Sequence, residues 1–288
     1  GNKEFLESQK AYITELLRFF AGKIKDNGEE DLPPTRFVDW PTQADPAATH
    51  AGLQGILSMA LETGAVVCRE LGDEETAVIC EAAVKKLAKH IPDTNGNKQA
   101  AALLALAGIE DAKKMSDEVL KVGGAKGFST FLGYYMLCAM GKAGDVDDAL
   151  DIIKEYWGAM LSRGATTFWE DFNMDWLEGS SRIDELVPEG VKDIHGDYGA
   201  YCYKGFRHSL CHGWASGPAA FMAEYVLGIK PAAPGCEKIT FKPHLGKLEW
   251  VKGTYPTPKG IIKVELKKNA DGKVDANIEL PEGVSIAE

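Results

Sequence analysis

The sequence predicts a mainly α-helical domain followed by a small antiparallel β domain, and three observations predict it. Up to about residue 229, apolar residues recur at the three- and four-residue spacing of amphipathic helices. The stretch Pro231-Ala232-Ala233-Pro234-Gly235 then breaks the pattern, and period-2 alternation takes over to the C-terminus. The division places a helical domain over 1–229 and a β domain over 230–288.

In chain order, Leu6, Ile13, Leu16, Leu17 and Phe20 mark a first amphipathic helix, and residues 26–46 are rich in turn formers. Asp45-Pro46 reads as an N-cap and first helical residue, opening a helix through Leu53, Ile56, Leu57, Leu61 and Val67 that stops at Gly72. Asp73 caps the next helix, which Pro92 bounds. Further helical runs cover about 97–107, 110–122, 128–142, 146–161 and 210–227. That makes about eight helices, mostly antiparallel neighbours joined by short turns.

Three corners look alike: Gly72-Asp73-Glu74, Gly108-Ile109-Glu110 and Gly144-Asp145-Val146, their glycines 36 residues apart. A C-terminal glycine followed by an acidic N-cap region is ordinary helix-corner chemistry, and a period near ~34 also fits a tetratricopeptide-type solenoid. Against the solenoid, the Trp-Leu-Gly-Tyr positions of that repeat are missing and the aromatic loop at 163–208 would interrupt a superhelix. In the β part, 238–241, 248–251, 261–266 and 274–280 alternate, and Asn269-Ala270-Asp271-Gly272 supplies a hairpin turn. About five strands make a domain too small for a generous core, so it is expected to lean on the helices.

At 288 residues with 45% apolar content, the chain buries a core without disulfide or metal staples. Its 32 basic and 43 acidic residues give a net charge of −11, with no Lys/Arg cluster among aromatics. That balance disfavours nucleic acid and anionic membranes as partners. No apolar run approaches the ~20 residues of a membrane span, so membrane insertion is not expected, and the start Gly1-Asn2-Lys3-Glu4-Phe5 lacks signal-peptide regions. Six cysteines show no CxxC spacing. Cys68, Cys80 and Cys138 read as small buried thiols, while Cys202, Cys211 and Cys236 leave one disulfide open. The compartment is not determined.

The chemistry concentrates in Gly164-Ala165-Thr166-Thr167-Phe168-Trp169-Glu170-Asp171-Phe172. Glu170, flanked by Trp169 and Phe172 with Trp176 close behind, combines an adjustable acid or base with an apolar platform for a pyranose face. The plain alternative is a loop glutamate near core aromatics. His208 and His212 are spaced i, i+4 with Cys211 between, but neither a third ligand nor an HExxH glutamate accompanies them, so no metal and no cofactor are expected.

The Gly164-to-Glu170 segment, then Ser209-Leu210-Cys211-His212-Gly213-Trp214-Ala215, then Gly228-Ile229-Lys230-Pro231-Ala232-Ala233-Pro234-Gly235 leading into Ile239-Thr240-Phe241-Lys242-Pro243, resembles the α-L-rhamnosidases of glycoside hydrolase family 78 in order and spacing. Val38-Asp39-Trp40 looks like the aspartate-tryptophan motif those enzymes carry earlier. The resemblance implies a partial (α/α)6 toroid followed by an antiparallel β-sandwich, inverting hydrolysis of terminal α-L-rhamnosides, and a periplasmic or extracellular habit. It assigns the base role to Glu170, sugar contact to His212 and hydroxyl acceptance to Asp39. Trp40 and Trp214, with Trp169, become apolar walls.

The family's general acid lies upstream of the aspartate-tryptophan motif, and nothing before Val38 matches it. The chain is therefore expected to be the C-terminal part of such an enzyme, with self-association through the open side of the ring. Inversion needs a second carboxyl ~6.5–9.5 Å from the base, for which Asp39 and Asp175 are weaker candidates. Phe172 stands where the family often has tryptophan and Cys211 where it often has asparagine, which bears on sugar choice. An inactive carbohydrate-binding fragment and a helical scaffold are the readings from other classes.

Overall fold

The computed structural model describes residues 2–191, 193–194 and 209–287. The helical part holds α1 (Lys3–Ser8), α2 (Lys10–Ala21), α3 (Pro46–Glu70), α4 (Glu74–Leu87), α5 (Lys98–Leu106), α6 (Ala112–Met115), α7 (Gly133–Lys142), α8 (Val146–Ser162) and α9 (Gly217–Phe221). Short side chains set many of their starts. The carboxylate of Asp45 accepts from the Ala47 and Ala48 N–H groups, Asp73 from Thr76, Asn97 from Ala100 and Asp111 from Lys114. Each bond satisfies amide donors that the first helical turn leaves without a partner.

The three glycine corners share one geometry. The N–H after each glycine returns to a carbonyl five residues back: Asp73 to Cys68 at 2.8 Å, Ile109 to Leu104 at 3.1 Å and Asp145 to Met140 at 2.9 Å. The glycines sit at φ 68°, 68° and 85°, where a β-carbon would be strained. The 36-residue recurrence is thus repeated corner chemistry.

Several helices depart from expectation for identifiable reasons. The first helix is two, because the chain turns at Gln9. The run at 110–122 is α-helical only to Met115 and continues as a π turn over Ser116–Leu120. The run at 128–142 becomes helical only at Gly133, leaving 128–132 free to enter the site. Between 210 and 227 lie a 3₁₀ turn (Gly213–Ser216), α9 and a π turn (Met222–Val226). Pro218, which lacks an N–H, falls in the first turn of α9 and requires the fresh start.

One core cluster joins α5, α7 and α8 to the aromatic loop through Leu103, Met136, Tyr156 and Trp157, and another joins α2, α3 and α4 through Leu17, Leu61 and Cys80. Against expectation, α3 is long and apolar enough by length and composition to cross a membrane. One face of it, with Ala51, Leu57, Leu61 and Ala65, is buried inside the protein, while Ile56 and Val66 stay exposed.

The β part has β1 (Ile229–Pro231), β2 (Lys238–Phe241), β3 (Trp250–Thr257), β4 (Gly260–Lys268), β5 (Val274–Glu279) and β6 (Ser285–Ile286). They form two three-stranded sheets, β1-β2-β6 and β3-β4-β5. Every pairing is antiparallel except β2 with β6, where the chain end returns alongside β2 in parallel. Ile262, Val264 and Leu266 alternate inward along β4 and pack with Ile229 and Ile239. The β4–β5 hairpin turns at Asn269, whose side-chain oxygen accepts from the Asp271 and Lys273 N–H groups, with Gly272 at φ 76°. Leu227 enters the β core while Val251 packs on the helical core, so the β part does lean on the helices.

Cys68, Cys80, Cys138, Cys211 and Cys236 are free thiols, the first three buried. Cys202 and His208 lie outside the described residues.

Candidate active site

Two loops zip together to build the centre of the site. The N–H of His212 donates to the Phe168 carbonyl at 2.7 Å, the N–H of Glu170 donates to the Ser209 carbonyl at 2.8 Å, and the Thr167 hydroxyl bonds the Leu210 carbonyl. Glu170 and His212, 42 positions apart in the chain, are therefore neighbours. The Ser209 N–H donates to Glu170 Oε2 at 2.7 Å, and His212 Nδ1 stands 3.9 Å from the same oxygen. Both side chains reach solvent, at 19% and 31% exposure, so the carboxylate is held by the Ser209 N–H without being sealed off from water.

Around this pair stands a wall of rings. Trp40 packs against Trp214 with centroids 5.5 Å apart, Phe131 lies 5.1 Å from Trp214 and 6.2 Å from Trp40, and Phe37 closes edge-on to Trp40 at 5.0 Å. The His212 imidazole is 4.0 Å from the Trp214 ring. Trp40 and Trp214 are half-buried, each keeping part of its surface accessible. Phe131 was missed in the sequence; its signal is its place in Phe128-Ser129-Thr130-Phe131, where two hydroxyls interrupt an aromatic run.

Trp169 needs correction. It is fully buried and packs on Phe172, which is 1% exposed and in turn meets Tyr156 and Trp176. Around Glu170 the loop turns Trp169 and Phe172 to the core while the carboxylate faces the cleft. The apolar wall comes from Trp40, Phe131 and Trp214 instead.

Asp39 also differs from expectation. It is 1% exposed, and its oxygens accept from the Trp40 N–H at 2.8 Å and the Ser129 hydroxyl at 2.5 Å. Its backbone N–H meets Thr42 Oγ1 at 3.1 Å, fixing the 3₁₀ turn Trp40–Thr42 that presents Trp40. Asp39 thus holds the wall in place instead of offering a carboxylate to sugar hydroxyls. Burial raises its pKa to about 6, with the Ser129 and Trp40 hydrogen bonds opposing the rise.

Asp171 is a carboxyl that sequence reasoning passed over. It is half-buried, accepts from the Phe172 N–H at 2.8 Å, and is pushed up to about 6 by burial, with the charges of Asp39 and Glu170 adding to the rise. Three carboxyls therefore share one neighbourhood. Asp175 does not join them: it is exposed and paired with Lys126 at 2.9 Å.

Residues 228–287 match the bacterial alpha-L-rhamnosidase C-terminal domain. An alpha-L-rhamnosidase of Alteromonas sp. (strain LOR) is 28% identical over 327 aligned positions, covering 99% of this chain and 32% of that protein. Two solved structures superpose with TM-scores of 0.75: a family 78 rhamnosidase of Bacillus sp. GL1, 22% identical, and a Streptomyces avermitilis alpha-L-rhamnosidase complexed with L-rhamnose, 15% identical. Each covers 99% of this chain, which covers 31% and 27% of theirs. The architecture is thus that of helical glycoside hydrolases carrying a C-terminal β domain. More narrowly, the chain resembles the C-terminal part of the family 78 α-L-rhamnosidases and spans about a third of the length of these relatives.

Proposed function

We propose that this chain carries the sugar-binding and water-activating half of an inverting α-L-rhamnosidase site. The observation that carries the reading is the Glu170 carboxylate, gripped by the Ser209 N–H, beside His212 and open to the Trp40-Phe131-Trp214 wall. In the proposed reaction Glu170 takes a proton from the water whose oxygen bonds to the anomeric carbon, while the bond to the leaving oxygen breaks on the opposite face. His212 exchanges hydrogen bonds with sugar hydroxyls, and the rings cover the apolar C–H face and the 6-methyl group.

The leaving oxygen needs a proton as well. Asp39 is sealed behind Ser129 and Trp40, Asp175 is tied to Lys126 at the surface, and Asp171 Oδ1 is turned to its own following N–H. Asp39 and Asp175 are thereby withdrawn from the leaving oxygen, and with Asp171 Oδ1 committed to the main chain we read no general acid among the three. We therefore expect the 288-residue chain to bind L-rhamnose without turning over a natural rhamnoside at an appreciable rate. Lack of a positioned acid costs about 10²–10⁴-fold. Incubation of the purified chain with a flavonoid rhamnoside tests this, and robust release of rhamnose would overturn it.

A further inference from the structure

We propose that the neighbouring hydroxyls of Ser129 and Thr130 are the positioning element of the site, holding the Asp39-Trp40 turn and the Glu170 main chain in one fixed relation. Both residues are almost fully shielded, at 3% and 2% exposure. Ser129 Oγ donates to Asp39 Oδ2 at 2.5 Å, and Thr130 Oγ1 donates to the Glu170 carbonyl at 2.5 Å. The Trp214 indole N–H donates to that same carbonyl, also at 2.5 Å. Segments far apart in the chain, at 39 and at 170, thereby meet on one dipeptide ahead of α7.

Physical chemistry gives the arrangement a purpose beyond packing. A buried hydroxyl costs desolvation unless it makes a bond, so a purely space-filling role would call for valine or alanine at these positions. Here each hydroxyl is directed to a different part of the site. Asp39 needs internal donors because it is sealed from water, and Ser129 supplies one while fixing the turn that presents Trp40. The Glu170 carbonyl has two lone pairs and takes two donors, one from Thr130 and one from the ring wall. With the main chain held there and Oε2 held by the Ser209 N–H, the carboxylate is left little freedom to swing. Phe131, next in sequence, carries the same registration to the rings of Trp40 and Trp214.

The proposal rests on reading Glu170 as the base, in that the base and the sugar wall are what the hydroxyls align. Its test uses the full chain labelled with ¹⁵N at tryptophan and ¹³C at the glutamate carboxyl. Thr130→Val keeps the branched shape and removes the donor; Thr130→Ser returns it. Thr130→Val is expected to displace the Trp214 indole N–H resonance and the Glu170 carboxyl ¹³C resonance from their wild-type values, with thermal melting close to wild type. It should also weaken L-rhamnose binding by about tenfold, the worth of one such bond. Thr130→Ser should restore all three, and Ser129→Ala should displace the Trp40 indole resonance. Wild-type signals in Thr130→Val, or changes that Thr130→Ser fails to reverse, overturn the proposal. If the wild-type chain binds no L-rhamnose while the indole and carboxyl signals respond as described, the positioning role stands and the glycosidase reading of Glu170 falls.

Discussion

Replacing Glu30 with glutamine should cost this protein several kcal/mol of stability, although Glu30 lies outside the site. Its side chain is fully shielded from solvent. One carboxylate oxygen faces the Arg36 guanidinium and His50 Nδ1, the latter at 2.6 Å, and the other accepts from the Leu32 N–H at 2.9 Å. His50 Nε2 lies 3.1 Å from His90 Nε2 with ring centroids 5.3 Å apart, so the two rings meet nearly head-on, as a hydrogen bond requires. With the His50 Nδ1 proton given to Glu30, Nε2 accepts from His90, and the loop before α3, α3 itself and the segment after α4 are tied together. Glutamine preserves volume, but either orientation sets its NH₂ against a donor. Breaking a buried charged pair on one side costs about 3–5 kcal/mol, which for a chain of this size lowers the melting temperature by about 5–8 °C. Differential scanning calorimetry at pH 8 measures it. A Glu30→Gln melt within about 2 °C of wild type would refute the reasoning. The same cluster sets a pH trend: burial first, and then the Arg36 charge, hold His50 below the ordinary imidazole value. Its folded pKa is the lower one, so the unfolded chain binds the proton first and stability should decline as pH falls below about 6.5.

Asp39 works with the opposite sign: its folded pKa of about 6 exceeds the unfolded value, so its contribution is present at low pH and lost as pH rises through 6. Asp39→Asn should accordingly gain on wild type by up to about 3 kcal/mol between pH 4 and pH 8, less whatever its weaker acceptor loses, and urea melts at both pH values check the sign. Gly228→Ala should cost about 2–5 kcal/mol, because the residue sits at φ +77° and a β-carbon would come within 2.2 Å of the Lys242 backbone; chemical denaturation reads this directly. Phe5, Tyr12 and Phe19 on α1 and α2 are 63%, 67% and 49% exposed, so concentration-dependent self-association is expected, with Tyr12→Glu/Phe19→Glu shifting light scattering toward monomer.

What the sequence makes legible here is mostly what neighbours along the chain decide. Asp45-Pro46, Asp73 and the corner glycines act within one helical turn, and Asn269 closes its hairpin through its own side chain. The helix starts at 128–142 and 210–227 were misjudged because apolar spacing continues through residues that long-range bonds claim for loops, Thr130 to Glu170 and Trp214 to Glu170 among them. In the site, Glu170, His212, Trp40 and Trp214 are brought together as the motif order suggests. Trp169 is not, since sequence adjacency to a carboxylate does not say which way a ring faces. Asp171, Ser129 and Thr130 carry no motif of their own, and their roles exist only once the segments around 39, 130 and 170 meet.

Calorimetric titration of L-rhamnose into the wild-type chain, Glu170→Gln and His212→Ala tests the central claim most directly, because ground-state binding does not require a general acid. The account predicts that wild type binds, that Glu170→Gln binds nearly as well because the amide keeps its size and hydrogen bonding, and that His212→Ala loses about 1–3 kcal/mol of binding free energy. No heat of binding for the wild-type chain, or His212→Ala binding as tightly as wild type, would contradict it.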